Sequence, residues 1–154
     1  MKLPAVTVID FETRPIAPRP DYPPVPVGFS IQHPGERKSR YYAYGHPTKN
    51  NCNKGDAQRV LRLAWKSGAL LFQNGKFDVD VAETHLGCPR LTDPLLMHDT
   101  MFLLFLSDPH AISLSLKPAA ERILGMAPTE QQAVGAVVDP ASGGAAARRP
   151  ATRR

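Results

Sequence analysis

The chain has 154 residues, enough for one domain of ordinary size and too few for two, and 42% of them are hydrophobic, adequate for a core. Its net charge of +5 sits mostly at the far end: beyond residue 130, Arg148, Arg149, Arg153 and Arg154 against Asp139 give +3 and leave +2 for residues 1–130, so charge alone does not argue that the folded part binds nucleic acid. Two cysteines, Cys52 and Cys88, exclude a disulfide framework, and the longest apolar run, MFLLFL at 101–106, is far too short to cross a bilayer.

Residues 5–9 (AVTVI) read as a short buried strand, rich in β-branched side chains and ended by polar ones. Six prolines in 14–26 make a stiff extended loop. Residues 27–31 and 40–44 read as two strands joined through the turn-rich HPGERKS, a hairpin. After the polar connector GHPTKNNCNKG, Asp56 is the expected cap of a helix over 57–67. Ala57, Val60, Leu61, Ala64 and Trp65 recur there at helical spacing, and Gly68 stops it. A second buried strand, ALLF at 69–72, leads to a helix over 76–86 closed by Gly87 and Pro89. A short strand over 95–98, a helix over 100–106 capped by Asp99, and an amphipathic helix from Ser113 or Ser115 to Leu124 complete the ordered part. Helical crossovers suit parallel neighbours and the early hairpin an antiparallel pair, so the fold class is α/β with a mixed sheet flanked by helices. Residues 131–154 are rich in Ala, Gly, Pro and Arg without aromatic residues or periodicity, and read as a disordered tail foreign to the domain over 1–130.

Asp10 and Glu12 sit where the first strand runs out, and residues i and i+2 of a strand point to one side. In open α/β sheets functional groups gather at such carboxyl ends. Two carboxylates there repel unless a cation lies between them, and a hard divalent ion such as Mg²⁺ or Mn²⁺ takes oxygen ligands. A second strand-to-helix junction, FQNGKFD, places Asp78 on the first turn of a helix. If the strands over 5–9 and 69–72 are neighbours, Asp78 faces Asp10 and Glu12. Taken alone, Asp78 would be a carboxylate favouring a helix N-terminus.

VIDFET resembles the first motif, and QNGKFD the second (Asn-x-x-Phe-Asp), of the DEDD 3′-5′ exonucleases, among them the proofreading domain of family A DNA polymerases. The stretch HDTMFLLFLSDPHAISLSLKPAAERILGM is also similar to that family, and the likeness covers residues 5–128, nearest to the phage or prophage type. The resemblance implies a ribonuclease-H-like fold and two-metal hydrolysis at the 3′ end of single-stranded DNA, with two Mg²⁺ or Mn²⁺ ions. It implies that Asp10 bridges both ions, Glu12 binds one and orients the water, and Asp78 holds the second. Thr13 would contact the 3′-terminal nucleotide, with Asn74 and Phe77 shaping the pocket beside it. Asp99 lies in neither motif and reads as a helix cap.

The family's third motif, Tyr-x-x-x-Asp or His-x-x-x-x-Asp, has no counterpart: no Tyr or His follows residue 110. The reading therefore expects the fold's C-terminal helix to be missing and activity to be impaired, and a polymerase domain would belong to a full-length relative. The alternative is a catalytically inactive, nucleic-acid-binding remnant of the same fold. A haloacid-dehalogenase-like phosphatase needs Asp-x-Asp and leaves Asn74-x-x-Phe-Asp78 unexplained. The Pro-x-x-Pro spacings of the loop read as a rigid wall rather than a peptide ligand. His85 and His98 lack zinc spacing, and Trp65 reads as core. An acid interrupts the start of the chain before any signal-peptide core, so a cytoplasmic protein is expected, and the resemblance implies a bacterial or phage-encoded one.

Overall fold

The computed structural model describes residues 5–126; the tail expected over 131–154 lies outside the described residues. The chain divides into two units after Leu116. The first holds β1 (Val6–Thr13), β2 (Pro26–Gln32), β3 (Arg40–Ala43), α1 (Lys54–Trp65), β4 (Ala69–Phe72), α2 (Gly75–Leu86), β5 (Met97–Asp99) and α3 (Thr100–Ser107). The described part of the second carries α4 (Leu116–Leu124) from its second residue onward, closed by Gly125 in the left-handed region at φ 64°.

The sheet runs β3-β2-β1-β4-β5, a ribonuclease-H-like order, and is mixed as expected from the sequence. β1 pairs antiparallel with β2, and β2 with β3; β4 is parallel to both β1 and β5. Local chemistry supplies this mixture. The hairpin between β2 and β3 needs only a turn, which Gly35 makes at φ 84°. The parallel neighbours need crossovers, which α1 and α2 provide.

β1 departs from the expected strand over 5–9: it runs on to Thr13. The reason is β2, which pairs with it through Glu12↔Gly28 and, after an irregularity between Glu12 and Thr13, Thr13↔Pro26. The parallel partner β4 stops earlier, its last register being Val8↔Leu71. The carboxylates therefore stand inside β1, yet beyond the end of its parallel pairing. Thr7, Ile9 and Phe11 face the core; Val8, Asp10 and Glu12 alternate onto the exposed face.

The core on the first face joins Ile9 and Phe11 to Phe29 and Ile31 of β2, Leu70 and Phe72 of β4, Leu61 and Trp65 of α1, and Val81 and Leu86 of α2. Trp65 is core, as expected: it is buried, lies 5.8 Å from the Phe72 ring, and donates its indole N–H to the Pro89 carbonyl at 2.8 Å. The Gln58 amide and Arg62 Nε both donate to the Leu86 carbonyl, tying α1 to the end of α2. Gly87 adopts φ 63° to close α2.

One expected cap and one expected strand differ. Asn53, not Asp56, caps α1, its Oδ1 accepting from the Asp56 N–H at 2.9 Å, while Asp56 serves in the first turn and pairs with Arg59 at 2.6 Å. The helix begins earlier because the Asn53 side chain satisfies the Asp56 N–H, which places Asp56 inside the first turn. The last strand spans Met97–Asp99 rather than 95–98, because β4 sets its register through Phe72↔Asp99. No described helix is long and apolar enough to cross a membrane.

Candidate active site

The site begins with a backbone donor. β1 outruns β4, so the Phe11 N–H, flanked by Asp10 and Glu12, has no strand partner on the β4 side. An unpaired N–H at a buried position is costly. The chain answers from the next element: after β4, Asn74 turns in the left-handed region at φ 58° and ψ 48°, α2 begins at Gly75, and Asp78 lies on its first turn. The Phe11 N–H donates to Asp78 Oδ1 at 3.2 Å. The second motif is thus fastened to the first by a hydrogen bond across 67 residues of sequence.

Gly75 has no room for a side chain, since a Cβ there would press on Met97 and Phe72. Asp99 holds this turn. Its Oδ1 accepts from the Asn74 N–H at 3.0 Å and the Met101 N–H at 2.8 Å, and its Oδ2 from the Gly75 N–H at 2.7 Å. It is the cap of α3, as read from the sequence, and also the clamp on the start of α2, which sequence reasoning missed. Its two carboxylate oxygens therefore serve three backbone donors.

The electrostatics are those of crowded acids. Asp78 is 3% exposed. Burial, then the Asp10 charge, push its carboxyl up to about 7 from an ordinary 3.8; Asp99 adds in the same direction, against backbone hydrogen bonds that favour the charged form. Desolvation also raises the Asp10 carboxyl, although much of that side chain remains exposed. Glu12 is exposed on the same face, and its charge acts on the Tyr41 phenol.

Among the described residues, no three His, Cys, Asp or Glu side chains form a group that could hold a metal ion. The structure brings Asp10 and Asp78 into electrostatic contact and leaves Glu12 further along β1, opposite Gly28. Thr13 donates its hydroxyl to the Arg14 carbonyl at 2.9 Å. Asn74 is exposed at the turn, and its carbonyl accepts from the Phe77 N–H at 3.0 Å. Phe77 packs against the core, its ring 6.5 Å from that of Tyr22.

The proline-rich loop is a wall along α2. Arg14 N–H donates to the Val25 carbonyl at 3.0 Å and closes its base. Tyr22 donates to Asp80 Oδ2 at 3.2 Å, and the Pro23 carbonyl lies 2.8 Å from His85 Nε2. Arg19 and Lys76 line a shallow depression there with Tyr22 and Asp80. His85 thus has a structural partner that its sequence spacing gave no sign of.

The fold recurs in solved structures. The chain is similar to a nuclease in its apo form, with 19% identity and a TM-score of 0.59 over 83% of this chain and 56% of that one. It is also similar to Brucella melitensis NrnC with bound Mg²⁺, with 16% identity and a TM-score of 0.57 over 82% of this chain and 56% of the other. The chain thus spans a little over half the length of these structures, and at such identities the likeness establishes the fold. No family model matches the chain, and no curated protein matches it.

Proposed function

We propose that the chain is a metal-dependent 3′-5′ exonuclease domain of DNA-polymerase type, releasing nucleoside monophosphates from the 3′ end of single-stranded DNA. The observation that carries this reading is the placement of Asp78. A buried carboxyl on the first turn of α2 is tied to the backbone between Asp10 and Glu12, and its proton affinity is raised by burial and then by Asp10. A fold that only needed to satisfy the Phe11 N–H would do so without stacking negative charge there. The nuclease among the structural relatives and the Mg²⁺ bound to Brucella NrnC support the same reading.

The residues present fit a divalent ion. Mg²⁺ is characteristically held by one or two carboxylates together with waters and substrate phosphates, not by a complete protein cage. Asp10 and Asp78 would hold it, with Glu12 beside them on β1. When bound, the ion lowers the pKa of a coordinated water and neutralises charge on the phosphate. The protein's own groups do the rest. The Phe11 N–H fixes Asp78, Asp99 fixes the turn that carries it, and Glu12 orients the attacking water. Thr13 and the adjacent backbone contact the terminal nucleotide, and Asn74 and Phe77 border its pocket. Arg19 and Lys76 offer positive charge to the phosphate backbone.

A second reading, a nucleic-acid-binding domain without catalysis, is favoured by one observation: the described residues offer no three-ligand metal group. Digestion separates the two. Purified protein is incubated with a 5′-labelled single-stranded oligonucleotide in Mg²⁺ or Mn²⁺, with EDTA and Asp10→Ala as controls. A ladder shortening from the 3′ end, abolished by both controls, is the expected result. Binding of the oligonucleotide by folded protein without cleavage would establish the second reading.

A further inference from the structure

The face of the sheet that carries Asp10 and Glu12 also carries an aromatic pair with no assigned part. β2 places Gly28 directly across from Glu12 and Ser30 across from Asp10. β3 then places Ala43 beside Gly28 and Tyr41 beside Ser30. Across an antiparallel pair, facing side chains stand about 4.5–5.5 Å apart at Cβ. The side chain that should face Glu12 is missing, because position 28 is glycine. Its place is filled from the next strand: a Cβ on Gly28 would collide with the Tyr41 hydroxyl and lie 2.8 Å from Tyr41 Cζ. Tyr41 thus leans over β2 and puts a phenolic hydroxyl where the neighbour of Glu12 would stand. Glu12 and Asp10 both act electrostatically on that phenol, Glu12 more strongly.

The hydroxyl is held. His46 Nε2 lies 2.6 Å from Tyr41 Oη, and the two rings meet edge to face at 5.9 Å. His46 in turn is pinned by Asn50, whose Oδ1 accepts from the His46 N–H and whose amide donates to the His46 carbonyl, both at 3.0 Å. Asn51 fastens the same loop to the outer edge of β3, accepting from the Ala43 N–H and donating to the Tyr41 carbonyl, both at 2.8 Å. Its amide does for β3 what a further strand would do. Asn50 thus sets the imidazole against the phenol, while Asn51 anchors the connector to β3. Asn51 serves the edge of β3, whereas the Tyr41–His46 pair lies outside the core. A tyrosine at a sheet edge finds water readily, so an imidazole fixed against its oxygen is an arrangement with a purpose beyond satisfying a polar atom.

We infer that Tyr41, oriented by His46 and admitted by Gly28, supplies the hydrogen bond that positions the attacking water on the flank of Glu12. The inference rests on the exonuclease reading above. In the reaction, the water oxygen forms a bond to the phosphorus of the terminal phosphodiester. The P–O3′ bond breaks with its electron pair moving to the 3′ oxygen of the penultimate nucleotide. The proton lost by the water passes to the carboxylate side of the site and on to solvent, and the 3′ oxygen takes one from solvent. Tyr41 keeps its proton throughout. With Nε2–H of His46 donating to the phenolic oxygen, the phenol's own hydrogen is free to point toward the water. His46 is a positioning residue, because it acts only through Tyr41.

The test is the labelled-oligonucleotide digestion in Mn²⁺, run as a concentration series on the full chain for wild type, Tyr41→Phe, His46→Ala and His46→Gln, with thermal melting of each. The ring is retained in Tyr41→Phe, so packing over Gly28 is kept and only the hydroxyl goes. The expected result is a kcat lowered roughly tenfold with KM within about twofold and an unchanged melting point, in line with the loss of one hydrogen bond. His46→Ala should fall in the same direction, and His46→Gln, whose amide can still donate to the phenol, should recover most of the rate. Should Tyr41→Phe melt early, the two His46 variants decide, since their loop position leaves the strand intact. Cleavage by Tyr41→Phe and His46→Ala within twofold of an active wild type overturns this inference alone. A folded wild type that does not cleave overturns the exonuclease reading and this inference with it.

Discussion

Replacing Asp78 by asparagine tests the electrostatic account of the site directly. The amide oxygen still accepts from the Phe11 N–H, while the ionisable group is gone. In the folded chain the Asp78 carboxyl titrates at about 7, against an ordinary 3.8, because it is buried beside Asp10. The folded state therefore keeps a proton that the unfolded chain releases across that interval, and stability falls by about 1.4 kcal/mol per pH unit as pH rises through it. The stabilising contribution is complete below about pH 4 and lost above about pH 7. Three units give about 4 kcal/mol as the cost of ionising Asp78 in the metal-free protein at pH 8, with no discount for solvent because the side chain is 3% exposed. The expected outcome is that D78N melts close to wild type at pH 4–5 and roughly 10–20 °C higher at pH 8. Millimolar Mn²⁺ at pH 8 should raise the melting point of wild type and leave that of D78N unchanged. Melting followed by circular dichroism at four pH values, with and without the ion, measures all of this. Comparing variant with wild type cancels the other titrating groups to first order. Parallel curves for the two proteins between pH 5 and pH 8 would refute the reasoning, since Asp78 would then carry an ordinary pKa.

Further outcomes follow from the supports of the site. Asp99→Ala leaves the Asn74, Gly75 and Met101 N–H groups without their acceptor. It should cost about 3 kcal/mol, visible in denaturant titration, and speed hydrogen exchange at those amides above that in β1. Asn53→Ala removes the cap of α1 and should cost about 1 kcal/mol with cleavage of the labelled oligonucleotide unchanged. Gly28→Ala drives a methyl group into the Tyr41 phenol and the Tyr42 carbonyl. It should cost about 1–3 kcal/mol by chemical denaturation.

Much of the fold was legible because its signals are local. Short β-branched runs, helical spacing in 57–65, and glycines at helix ends each report on a few neighbouring residues, and they placed five strands and four helices in the right order. The two motif stretches also marked Asp10, Glu12 and Asp78 as a set. Their relative placement was harder to read. Whether Asp10 lies at the end of β1 or inside it depends on how far β2 accompanies it, and β2 is reached only after twelve residues of proline-rich loop. Asp99 showed its local role as a cap. Its hold on Asn74 and Gly75 comes from the β4–β5 register, which no spacing in the sequence reveals.

By itself, the sequence determined which segments pair a buried face with a polar one, where helices begin and end, and which carboxylates stand at strand-to-helix junctions. Those are consequences of backbone geometry and side-chain type acting over one or two turns. Only the tertiary structure decided that Asp78 closes on the Phe11 N–H between Asp10 and Glu12, and that Gly28 makes room for the Tyr41 hydroxyl held by His46. Each of those contacts joins separate elements through strand register. A shift of one residue would turn every such side chain to the opposite face of the sheet.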